Sequence, residues 1–100
     1  MIDTGLDERT KRIIIGVISA LLPEAKIYLF GSRAGGTHKK YSDVDIAVDA
    51  GKELRRADVG EARDMLNESN IPFKFDVVDL QAVDQEMKNS ILKNGILWKE

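Results

Sequence analysis

Cysteine is absent from the 100 residues, so disulfides, thiolate metal sites and cysteine nucleophiles are all excluded. Only two prolines occur, Pro23 and Pro72, and each stands where a periodic segment stops. No apolar run is long enough or free enough of charge to cross a bilayer, so no membrane association is expected. The opening Met-Ile-Asp-Thr has neither the basic nor the apolar region of a signal peptide, and a cytoplasmic location is the expectation. Excess positive charge is also missing. With a net charge of −2, the molecule offers no general attraction to a polyanion, so direct nucleic-acid binding is not expected. What is present, 43% hydrophobic and 32% charged residues, is the composition of an ordinary folded domain, and the length suits a single one spanning 1–100.

Hydrophobic spacing organises the chain. From Leu6 to Leu22, Ile13, Val17 and Leu21 form one stripe with Ile14, Ile18 and Leu22 beside it, which predicts a helix started by Thr4 and stopped by Pro23. Lys26–Phe30 reads as a short strand ending at Gly31, followed by a glycine-containing, basic loop to Tyr41. Asp43–Val48 alternates, so Val44, Ile46 and Val48 share one strand face while Asp43, Asp45 and Ala47 share the other. Glu53–Asn67 reads as an exposed amphipathic helix interrupted by Gly60. Phe73–Val78 alternates again and puts Asp76 on the acidic side if the strands pair core to core. Gln81–Asn94 is a last helix, with Gly95 as a left-handed cap and Ile96-Leu97-Trp98 as an apolar tail. The fold class expected is α/β: a small mixed sheet of about three strands, with helices on the face opposite the acids.

Carboxylates at i and i+2 of a strand point the same way and lie roughly 6–7 Å apart. Their oxygens can converge on magnesium, which takes one or two carboxylates together with substrate phosphates. Asp43 and Asp45 fit that demand, with Asp76 as a third ligand. An isolated Asp-x-Asp also describes two solvated aspartates. The upstream Gly31-Ser32 adds specificity, because glycine after a strand lets backbone approach phosphate closely and serine offers an N–H and a hydroxyl. Two rival motifs fail: Thr37 stands where a Walker A loop needs lysine, and Ala47 and Val48 stand where a calcium loop needs a ligand and a glycine.

Gly31-Ser32, ten residues, then Asp43-Val44-Asp45, set on strand, loop and strand, resembles the minimal nucleotidyltransferases of the polymerase β-like superfamily. Ile27–Ala34, Tyr41–Val48 and Phe75–Leu80 are similar to the family's strands and connecting loop, and Ile91–Trp98 to its C-terminal helix. The resemblance implies the nucleotidyltransferase fold, with Gly31 and Ser32 holding triphosphate. It makes Asp43, Asp45 and Asp76 the catalytic and metal-binding triad, with one or two Mg2+ ions as cofactor. It further implies an enzyme that transfers a nucleoside monophosphate, AMP from ATP, to an acceptor hydroxyl on a small helical HEPN-type partner, with this chain as the antitoxin. Gly35 departs from the pattern, since members often carry a second arginine there.

Several other residues have weaker readings. Arg33 is the candidate nucleotide contact on the loop, while Lys39 and Lys40 suit phosphate, an acidic partner or solvent. His38 is expected at the surface, Asp79 as a helix cap, Asp49 in solvent or at a cap, and Trp98 in the core or against a partner. A binding module that neutralises its partner by contact alone is the alternative to an enzyme, and Gly35 is its support. Modification of a small molecule is less favoured, because no substrate domain is evident.

Overall fold

In the computed structural model, which describes residues 3–100, the acid-bearing segments lie side by side. Strands β1 (Lys26–Phe30), β2 (Val44–Asp49), β3 (Phe75–Asp79) and β4 (Ile96–Lys99) form one four-stranded sheet in the order β3-β2-β1-β4. Strand β2 runs antiparallel to β1 and parallel to β3, and β4 runs antiparallel to β1. Four helices complete the described residues: α1 (Glu8–Leu21), α2 (Ser32–Gly35), α3 (Arg56–Glu68) and α4 (Gln85–Asn94).

Alternation along the strands divides the sheet as expected. Ile27, Leu29, Val44, Ile46, Val48, Phe75 and Val77 are buried against Ile14 and Ile18 of α1 and Val59, Ala62 and Leu66 of α3. Each such burial is worth roughly 1.5–3 kcal/mol. The opposite face is more than an acidic surface. Tyr28, Phe30, Ala47 and Val78 make half of it apolar, and α4 covers that half with Met87 and Ile91. The expectation of helices on one face alone is therefore corrected: α4 packs on the side that carries the acids and leaves their end of the sheet open.

The apolar tail is the fourth strand. Ile96 pairs with Leu29 and Leu97 with Tyr28, and Ile96 and Trp98 pack on the main core while Leu97 points to the other side. Three consecutive apolar residues show no alternation, so only the partner strand reveals this. Gly95, expected in a left-handed conformation, is extended at φ −72° and ψ 160°. Its lack of a side chain serves close approach instead, since a Cβ there would lie 2.5 Å from the Ile91 carbonyl oxygen and 3.2 Å from that of Leu29.

Helix starts also shift, each for a hydrogen-bonding reason. Asp7, not Thr4, caps α1 by accepting from the Thr10 N–H at 2.7 Å. The segment before α3 stays out of the helix because Leu54 N–H donates to Asp79 Oδ2 at 2.7 Å. Asp79 is thus not a helix cap; it is a buried carboxylate that also accepts from Gln81 N–H, while Asp84 caps α4 through Met87 N–H.

Candidate active site

The site forms where β1 ends and where β2 and β3 begin. Phe30 pairs with Asp45 across β1 and β2, and Asp45 is the in-register neighbour of Asp76 across β2 and β3. Asp43 lies one residue before β2, on the parity of Asp45, and the Val44 N–H that follows it donates to the Lys74 carbonyl at 2.8 Å. The strand pairing thus brings the three sequence-identified aspartates to one end of one face. Burial, then the Asp76 charge, then the Asp43 charge push the Asp45 carboxyl above its ordinary value. Among the described residues, no three His, Asp or Glu side chains are gathered tightly enough to hold an ion in this conformation.

Gly31 has φ 77°, a conformation that side chains rarely adopt, and a Cβ on it would collide with Asp45 Oδ2. The turn from β1 into α2 therefore passes directly against the acidic cluster only because residue 31 is glycine. Ser32 opens α2, and Gly36, left-handed at φ 73°, closes it with its N–H directed to the Arg33 and Ser32 carbonyls. Beside Gly31 a cavity of about 590 Å³ is lined by Phe30 and Gly35 on one side and by Met87, Ser90 and Asn94 of α4 on the other. These α4 residues had no signal in the sequence, since their role depends on where the helix docks.

Arg33 is placed differently from a residue reaching into solvent for a ligand. It is 1% exposed, and its guanidinium donates to the carbonyls of Thr4, Lys40 and Ser42. Burial draws its pKa down. Lys39 and Lys40 are exposed on the loop, and Lys40 lies 5.4 Å from the centroid of the exposed Tyr41 ring. His38 is half-buried, and its Nδ1 is buried without a hydrogen-bond partner, so it is not the free surface residue expected. Asp49 accepts from Gly51 N–H and from Gln81 Nε2, each at 2.9 Å, and belongs to a structural network at the far end of β2.

A further residue that sequence reasoning missed is Arg63 of α3. Its Nη1 lies 3.7 Å from Asp76 Oδ1, with both side chains about half exposed, at 43% and 51%. Such a pair is weak and readily exchanged for a stronger cation.

The sequence profile of the family described as "Polymerase beta, Nucleotidyltransferase" matches residues 18–100. The chain belongs to that family. A Haemophilus influenzae relative, described as "Probable protein adenylyltransferase MntA", is 27% identical over 88 residues, which span 88% of this chain and 77% of the relative. Among solved structures, a toxin-antitoxin crystal structure with AMP-PNP superposes with a TM-score of 0.78 and 30% identity, covering 90% of this chain and 73% of its counterpart. A complex of MNT antitoxin with tri-AMPylated HEPN toxin from Shewanella oneidensis has a TM-score of 0.71 and 27% identity, covering 90% and 70%. These neighbours uphold the minimal-nucleotidyltransferase resemblance carried by Gly31-Ser32 and Asp43-Val44-Asp45.

Proposed function

We propose that the chain is an adenylyltransferase of the antitoxin type, moving AMP from ATP onto a hydroxyl of a HEPN-type partner protein. The observation that carries this reading is the in-register pairing of Asp45 with Asp76, directly against the side-chain-free Gly31. The similarity to an MntA protein and to an antitoxin bound to its AMPylated toxin supports the acceptor class.

The acidic cluster fits a hard divalent cation. Asp45 is held next to two further carboxylates whose charges push its pKa up, an arrangement that a cation between them relieves. Asp43, Asp45 and Asp76 would hold one or two magnesium ions, which when bound supply charge neutralisation for the phosphates and the departing pyrophosphate. Gly31 lets the triphosphate reach backbone, and Ser32 donates to it from its N–H and hydroxyl. Asp76 orients the acceptor hydroxyl. The acceptor oxygen bonds to the α-phosphorus as the bond to the bridging oxygen breaks; pyrophosphate leaves, and the hydroxyl proton passes to Asp76. The α4 side of the cavity receives the nucleoside.

Incubating the chain with α-labelled ATP, magnesium and its helical partner should label the partner and release pyrophosphate, and Asp43→Asn or Asp45→Asn should abolish the label. A second reading, neutralisation by contact alone, draws on Gly35, which leaves the cavity without the family's arginine. An unlabelled partner that still forms a complex with the wild-type chain decides for that second reading.

A further inference from the structure

Ten residues separate Ser32 from Asp43, and this spacer is clasped by its own ends. Arg33, its first residue, donates from Nε and Nη2 to the carbonyl of Ser42, its last residue, at 3.2 and 3.0 Å. The same guanidinium reaches the Lys40 carbonyl through Nη2 at 3.2 Å and the Thr4 carbonyl through Nη1 at 2.8 Å. It lies over the Phe73 ring, 4.5 Å from the centroid, and the residue is fully buried. A guanidinium carries five N–H donors. Four hydrogen bonds to protein carbonyls therefore leave at most one donor for any ligand. The Ser42 carbonyl belongs to the peptide bond that enters Asp43, so the clasp acts one bond away from the first acid.

We propose that Arg33 is a positioning residue: it sets the span between the Ser32 backbone that receives phosphate and the Asp43 and Asp45 carboxylates that receive the cation. This rests on the reading of those two aspartates as metal ligands. The spacer between Gly-Ser and Asp-x-Asp is then a closed loop of defined reach, not a flexible connection. Lysine cannot replace the clasp, because an ammonium is a compact charge without the planar fork that meets three carbonyls at once.

The test is Mn2+ binding to the full-length, nucleotide-free chain, followed by electron paramagnetic resonance of free Mn2+, for wild type, Arg33→Lys, Arg33→Gln and Asp45→Asn. Thermal melts first establish that each variant is folded at the assay temperature, and Arg33→Lys decides the matter should Arg33→Gln not fold. Both Arg33 variants should weaken Mn2+ binding by about tenfold or more, the range typical of residues that orient metal ligands. A direct phosphate contact makes a different forecast: unchanged Mn2+ binding without nucleotide, and an affinity loss that grows from AMP to ATP. Wild-type Mn2+ affinity in folded Arg33→Lys overturns the proposal, whether the variant then loses ATP affinity or only melting temperature. Failure of the underlying reading is separate and visible, because the wild-type chain would then bind no Mn2+, or Asp45→Asn would bind it equally well.

Discussion

At the scale of single residues, the site works through what Asp45 is forced to tolerate and what Gly31 and Gly35 leave out. The Asp45 carboxyl is raised by burial first, then by Asp76 and Asp43. An acid whose folded pKa is raised binds its proton more tightly in the native state, so the stabilisation is complete below the ordinary value of 3.8 and lost as pH climbs through the raised folded value. Asp45→Asn should therefore melt a few degrees above wild type at neutral pH without divalent cations, and the difference should vanish in acid; differential scanning calorimetry across pH checks this. A variant that melts lower at pH 7 would contradict the electrostatic account. Gly35 is exposed and lines the cavity beside Gly31, and a Cβ there would make only an ordinary contact with Thr37 Oγ1 at 3.9 Å. Gly35→Arg should restore a phosphate contact and lower the KM for ATP about tenfold, since a hydrogen bond to a charged group is worth roughly 1.5–3 kcal/mol. Unchanged KM in steady-state kinetics would mean that this position does not face the phosphates.

At the scale of elements, the strands were the most legible part and the helix ends the least. Period-two alternation at Val44-Asp45-Ile46 and at Phe75-Asp76-Val77 is a property of adjacent residues, so it set each acid opposite its own strand's apolar residues, while the shared face of Asp45 and Asp76 waited on the pairing of β2 with β3. The start of α3 depends on Asp79, whose carboxylate takes the N–H of Leu54, 25 positions away, and local spacing carries no trace of that contact. The junction of α4 and β4 depends on Gly95 in the same non-local way. Gly95→Ala should cost about 1–3 kcal/mol, because the added methyl meets the Ile91 and Leu29 carbonyl oxygens and α4 must shift to admit it. Urea denaturation should show this as a lower midpoint with an unchanged slope. Because α4 also lines the cavity, the same variant should bind ATP more weakly.

At the scale of the whole molecule, the core and the candidate site share one sheet. β1 contacts both neighbouring strands, and its exit at Gly31 passes the acids borne by β2 and β3. Anything that binds only the native state stabilises it by mass action, by about 2.7 kcal/mol at a hundredfold excess over Kd, and so raises the melting temperature. Magnesium with AMP-PNP should thus raise the melting temperature of the wild-type chain by several degrees, and EDTA should reverse most of the shift. For Asp43→Asn the shift should be nearly absent. An equal shift in that variant, or a shift indifferent to EDTA, would point to a nucleotide site away from the aspartates.

Residue spacing alone sufficed for the mixed α/β fold, the two acid-bearing strands, the glycine turn and the family resemblance, because each is encoded over a few neighbouring positions. Packing decided the rest. Parallel pairing of β2 with β3 put Asp76 beside Asp45, the apolar half of the acidic face drew α4 onto it, and β1 recruited Ile96-Leu97-Trp98 as a fourth strand. Arg33 shows the division most sharply. Its place in the loop made it a candidate for phosphate, whereas the carbonyls that surround it come from Thr4, Lys40 and Ser42, positions that only the folded chain brings together.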